Sequence, residues 1–218
     1  MKITLFSLFL LIFLPAAAHA GVPEPVVPAT VADVPVIEDP EMERSYFGLM
    51  NSFPHTYELV SGKPFRLFAE IKIPDVPEAL DNISAIIIKK TDTGRVEEVG
   101  RLYAKDASWE RKKDWSSNDW YRIGPIFDEE LQAGAYRFEV NTPDNIEKYV
   151  LTIGFREERE GAGYFETLAH LAQLKEFFGK SQFRIIESPR VLIPVLIIIA
   201  CAAFLLQQGR RRRDTGML

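Results

Sequence analysis

All three tryptophans of the chain, Trp109, Trp115 and Trp120, fall in one polar stretch from Lys105 to Tyr121, among Asp106, Glu110, Arg111, Asp114, Asn118 and Asp119. Rings interleaved with carboxylates, amides and guanidinium groups suit sugar recognition, because pyranose faces stack on aromatic rings while hydroxyls exchange hydrogen bonds with the polar groups. The same residue types anchor contacts between proteins. Trp109, Trp115, Trp120 and Tyr121 are therefore the candidate binding residues. The competing expectation is that the indoles close one end of a core from a long connection. Asp106, Asp114, Asn118 and Asp119 are ligands of the type calcium takes, but EF-hand spacing is absent, and no metal or cofactor site is assigned.

Catalytic chemistry finds little material. Beyond His19 the chain has two histidines, His55 and His170, far apart in sequence, and G-x-S-x-G, H-E-x-x-H, P-loop and paired-cysteine motifs are missing. The expectation is a non-enzymatic binding or accessory module for a protein or glycan. Two alternatives stand beside it. One is a glycan hydrolase using carboxylates such as Glu110, Asp114 and Asp119, two of which would have to lie about 5–9.5 Å apart across a cleft. The other is a structural subunit of a membrane complex.

The elements that must position these residues read as strands. Phe65, Leu67, Ala69, Ile71 and Ile73 alternate with Arg66, Phe68, Glu70 and Lys72, the period of a half-buried strand. Ile83–Ile88 is nearly continuous apolar and predicts a central strand. Val96–Tyr103, Ile123–Phe127, Tyr136–Val140 and Tyr149–Phe155 follow, and Thr142-Pro143-Asp144-Asn145 predicts a hairpin turn between the last two. The fold class expected is mainly β, an antiparallel sandwich of jelly-roll or immunoglobulin-like type over residues 41–160. The period then changes: Phe165, Leu168, Leu171, Leu174 and Phe178 recur at helical spacing before Gly179, predicting an amphipathic helix within 161–190.

Two apolar runs flank this domain. Met1-Lys2, an apolar stretch from Ile3 to Leu14 and the small residues ending at Ala20 predict a signal peptide over 1–20. Residues 21–40 carry five prolines, at 23, 25, 28, 35 and 40, a spacer composition. The second run, Val191–Leu206, holds eleven Val, Ile, Leu or Phe residues in sixteen, worth roughly 3–7 kcal/mol of insertion. It predicts a transmembrane helix over 191–208, with Arg190 snorkelling at one end. The tail 209–218 carries Arg210–Arg213, which belong on the cytoplasmic side. The localisation expected is the cell membrane, single-pass type I, with the β domain extracytoplasmic. Between residues 21 and 190 there are 21 basic and 30 acidic side chains, a balance that speaks against nucleic acid as partner. Cys201, inside the span, is the sole cysteine, so the domain is held by packing without a disulfide. Asn82-Ile83-Ser84 is a formal glycosylation acceptor.

Leu131-Gln132-Ala133-Gly134-Ala135-Tyr136-Arg137-Phe138-Glu139-Val140, followed by Lys148-Tyr149-Val150-Leu151-Thr152-Ile153, resembles the closing strands of secreted β-sandwich modules. The likeness is to the bacterial pre-peptidase C-terminal domain, and more loosely to GOLD and fibronectin-type sandwiches, in a prokaryotic single-pass membrane protein. Within that resemblance Gly134 admits a tight entry to the strand, and Tyr136 ties its hydroxyl to the preceding corner. It implies a fold and no particular ligand.

Overall fold

The computed structural model describes residues 24–25, 30–91, 94–156 and 164–215; the expected signal peptide and the Arg210–Arg213 side chains lie outside what it describes. Eleven strands are described: β1 (Glu24–Pro25), β2 (Val36–Ile37), β3 (Arg44–Leu49), β4 (His55–Ser61), β5 (Phe65–Pro74), β6 (Ser84–Lys90), β7 (Val96–Leu102), β8 (Glu110–Lys113), β9 (Trp120–Leu131), β10 (Gly134–Asn141) and β11 (Lys148–Ile153). Helix α1 (Tyr164–Phe177) and helix α2 (Pro189–Thr215) follow, joined through a 3₁₀ segment, Gln182–Glu187.

The strands form two sheets, ordered β1-β3-β11-β5-β9-β8 and β2-β4-β10-β6-β7. Alternation decides what each sheet turns inward. Leu67, Ala69, Ile71 and Ile73 of β5 meet Tyr57 and Leu59 of β4, Ile87 of β6 and Phe138 and Val140 of β10 in one continuous core. Both sheets are mixed, because β1 pairs parallel with β3 and β2 parallel with β4. Purely antiparallel pairing holds only for the longer strands. The short parallel pairs come from the proline-rich stretch, whose Ile37 is buried, so its inner part packs on the domain.

The hairpin expected between Tyr136–Val140 and Tyr149–Phe155 does not form. β10 pairs with β4 and β6, whereas β11 pairs with β3 and β5. The turn itself exists: Asn145 N–H donates to Thr142 Oγ1 at 2.8 Å and Thr142 N–H to Asn145 Oδ1 at 3.0 Å. It arches from one sheet to the other, since Ser52 N–H and Met50 N–H take the carbonyls of Asn145 and Glu147 and draw the outgoing chain toward β3. A turn motif specifies local reversal; cross-sheet packing chose the partner.

Strand β11 is buried on both faces, unlike β6, where Ile86 and Ile88 are only half-buried. The cause is α1, which covers the outer face of the first sheet by packing Leu174 and Phe178 on Phe47, Tyr121 and Val150. Gly179, at φ +67°, ends the helix: Lys180 N–H bonds Lys175 O and Gly179 N–H bonds Glu176 O, the Schellman arrangement that glycine permits. The Tyr136 hydroxyl does reach back to Gln132 O at 2.6 Å.

A polar chain crosses the core. The Tyr149 hydroxyl lies 2.8 Å from His55 Nδ1 and 2.7 Å from the Tyr57 hydroxyl. Burial holds the His55 imidazole below its ordinary 6.5, so the folded protein keeps it neutral while the unfolded chain takes up a proton on acidification. The associated stability is present above about pH 6.5 and is lost as pH falls through the lowered folded value. Denaturation midpoints measured between pH 7 and 5 should fall, and His55→Asn should flatten that slope; an unchanged slope would exclude His55 as its source.

Helix α2 contains an apolar span, Pro189–Gln207, of 19 residues with mean hydropathy 2.5 and almost no burial within the protein. At about 1.5 Å per residue it is some 28 Å long, close to the roughly 30 Å hydrocarbon core of a bilayer. The β domain is therefore attached to a membrane anchor.

Candidate functional site

Strands β8 and β9 form a hairpin whose tip, Asp114–Asp119, is organised by one carboxylate. Asp114 Oδ2 accepts from the hydroxyls of Ser116 and Ser117 at 2.7 and 2.8 Å, and Oδ1 accepts from Ser116 N–H at 2.9 Å. Asn118 adopts φ +63°, a conformation asparagine tolerates better than most residues. The tip closes with Asp114 N–H on Asp119 O at 2.8 Å.

This tip is inserted between α1 and α2. Lys175 and Asp119 are fully buried and joined at 2.7 Å, and Lys175 Nζ also donates to Ser117 O at 2.6 Å. Lys180 Nζ takes the other Asp119 oxygen at 2.6 Å. One residue before α2, the Ser188 hydroxyl donates to Ser116 O at 2.6 Å. Arg190 in the first turn of α2 is buried, in the field of Asp114, and so is not a snorkelling side chain. The hairpin clasps the β domain to the membrane helix.

The four candidate residues are distributed rather than gathered. Trp109 is half-buried against the core at φ +53°, and its Nε1–H donates to Ala104 O at 2.9 Å. Tyr121 is buried against Phe178, ring centroids 5.2 Å apart. Burial first, and then the Asp114 and Asp119 charges, push its phenol well above the usual range, so it stays neutral. Trp115, at the tip, is 64% exposed and Trp120, entering β9, is 43% exposed. Trp120 lies under two cations, with the Arg111 guanidinium 5.2 Å and the Lys113 ammonium 6.0 Å from its ring centroid. Arg111 is itself held by Asp75 at 2.7 Å.

Register explains the separation of Trp120 from Tyr121. Lys113 pairs with Trp120 and Arg111 with Arg122, while Lys112 pairs with Tyr121 and Glu110 with Ile123. The two sets project to opposite faces of the ribbon. A groove of about 350 Å³ borders the second set, lined in part by Lys72, Lys112, Lys113, Trp115, Ile123 and Val150. β8 is an edge strand with every residue exposed.

The carboxylates considered for hydrolysis are otherwise engaged. Asp119 is saturated by two ammonium groups, Asp114 by serine donors, and Glu110 lies on the exposed edge. A cation such as calcium would have to displace Lys175 and Lys180 from Asp119. Among the described residues no group of three or more His, Cys, Asp or Glu side chains is placed to hold a metal. His55 is in the core and His170 sits half-buried on α1.

Sequence reasoning missed Lys175. Its signal was its position: four residues after Leu171 and eight after Thr167, both buried, it shares the inward helix face, where a lysine requires a carboxylate partner.

No family model matches the chain. No curated protein sequence matches it either. Among solved structures, the pre-peptidase C-terminal domain of collagenase from Bacillus anthracis aligns at 8% identity, covering 58% of this chain and 98% of that one, with a TM-score of 0.35. The Yersinia pseudotuberculosis-derived mitogen aligns at 12% identity over 54% of this chain and 89% of that one, TM-score 0.34. Part of a β-glucosidase from Paenibacillus barengoltzii aligns at 14% identity over 61% of this chain and 13% of that one, TM-score 0.26. These are weak, low-identity similarities between β-rich domains.

Proposed function

We propose that the chain is a non-enzymatic, membrane-anchored accessory module whose extracytoplasmic β domain binds a protein or glycan partner through the Trp120 edge of the β8–β9 ribbon. The signal-like leader and the Arg210–Arg213 cluster support that sidedness. One observation carries the binding assignment: a half-exposed tryptophan under two cations of the neighbouring edge strand β8, in a hairpin whose tip is held by a buried ion pair. Rigidity favours binding because little freedom is lost on association. The cations select a partner bearing carboxylates, an acidic protein segment or an acidic glycan.

Trp120→Ala should weaken partner capture about 30-fold or more, the loss expected of an aromatic hot spot, with the thermal midpoint near that of the parent. Proximity labelling from the β domain, with and without the substitution, identifies the partner and reads the loss. A labelling pattern unchanged by Trp120→Ala rejects this surface. The structural-subunit reading rests on Phe165, 84% exposed on α1. It predicts that association with other membrane proteins survives Trp120→Ala and is lost in Phe165→Asp.

A further inference from the structure

The 3₁₀ segment Gln182–Glu187 stands between the domain and the membrane helix, and its side chains separate by type. In a 3₁₀ helix, residues three apart eclipse one another. Phe183 and Ile186 therefore share one ridge, which stops at the extended Ser188 just before α2 begins at Pro189. Arg184 and Glu187 share a second ridge and pair at 2.7 Å. Phe183 is 86% and Ile186 63% exposed, an apolar edge no part of the described domain covers. Trp115 joins this end of the molecule, because the next residue, Ser116, accepts the Ser188 hydroxyl immediately before α2.

We propose that Phe183, Ile186 and Trp115 form a platform that seats on the lipid surface entered by the chain's own helix, at the boundary between headgroups and acyl chains. Position argues for lipid over a protein partner: Ile186 stands three residues before Pro189, where the apolar span begins, so the exposed edge lies beside the segment that enters the bilayer. Tryptophan and phenylalanine favour this depth because an amphipathic or aromatic ring satisfies both media. Lys112, which lines the same groove as Trp115, matches anionic headgroups. The β domain then rests on the bilayer with its hairpin tip down, which leaves the Trp120 edge as the outward-facing part of the ribbon. This placement stands whether or not that edge binds a partner.

The test uses the full chain with Cys201→Ala, reconstituted in vesicles of phosphatidylcholine and phosphatidylglycerol. Nitroxide labels on Phe183→Cys or Ile186→Cys should collide more with oxygen than with a water-soluble nickel chelate, and a label on Arg184→Cys should show the reverse. In vesicles with brominated acyl chains, Trp115→Phe should lose the quenched part of the tryptophan emission, while Trp120→Phe keeps it. Three results overturn the proposal: nickel-dominated collisions at 183 and 186, which place the ridge in water; low collision with both probes, which places it under protein; or quenching that persists in Trp115→Phe. The labelled positions and both tryptophans are exposed, so the variants keep the packed core intact.

Discussion

Replacing Lys175 with alanine is expected to destabilise the protein by about 3–5 kcal/mol, the cost of leaving one member of a buried ion pair without its partner. Asp119 would keep Lys180, whose side chain is part-exposed, but lose the fully buried ammonium. Ser117 O would lose its donor in the same step. Because these bonds hold the hairpin tip against α1, the loss should also free the β domain from a fixed position relative to the span, visible as faster proteolysis between β8 and β9. Denaturant titration of the full chain in detergent reads the first effect. A change below about 1 kcal/mol, the range of solvated surface pairs, would mean water enters the clasp and the pair does not hold it. Joint replacement, Lys175→Met with Asp119→Leu, should recover part of the loss, since apolar pairs of similar volume often substitute for buried ions; Lys180 and Ser117 O would remain without partners.

How much of this was legible depended on whether a residue's environment is set by its neighbours in sequence. Residues 65–73 and 136–140 alternate cleanly, and their strands formed where the period required. Gly179 stopped its helix for a purely local reason. The pairing of β10 and β11 was not legible, because Thr142–Asn145 encodes a reversal and the same reversal serves a hairpin or an arch between sheets. β8 was invisible for another reason: Glu110-Arg111-Lys112-Lys113 has no apolar face to alternate, and it forms only because β9 offers an unpaired edge. Phe165, expected on the buried face, is exposed, whereas Lys175 is buried. The expected apolar stripe includes Phe165, but the buried line runs through Thr167, Leu171, Leu174, Lys175 and Phe178, which brings Lys175 onto Asp119.

The tryptophan segment shows the same limit at the candidate site. Composition alone makes Trp109, Trp115 and Trp120 equivalent, whereas Trp109 precedes β8, Trp115 sits in the hairpin tip and Trp120 enters β9, so each has a different surrounding. Trp109→Ala is expected to cost about 3–5 kcal/mol, as large-to-small aromatic replacements in cores do, with the lower end favoured by its partial exposure. Its ring lies directly over Gly124, where an added Cβ would meet ring carbons at 2.6 Å and Ile71 O at 2.8 Å. Gly124→Ala should therefore destabilise by about 1–3 kcal/mol, from the opposite face of the same contact. Combined, the two changes should cost less than their sum, because removing the indole opens the space the methyl needs. Chemical denaturation of the single and double variants measures that coupling; strict additivity would show that Trp109 does not occupy this place. A variant lacking all three tryptophans would lose partner capture through unfolding at Trp109 alone, so the binding role of the segment can be read only from Trp120→Ala, with the Trp109 contact left whole.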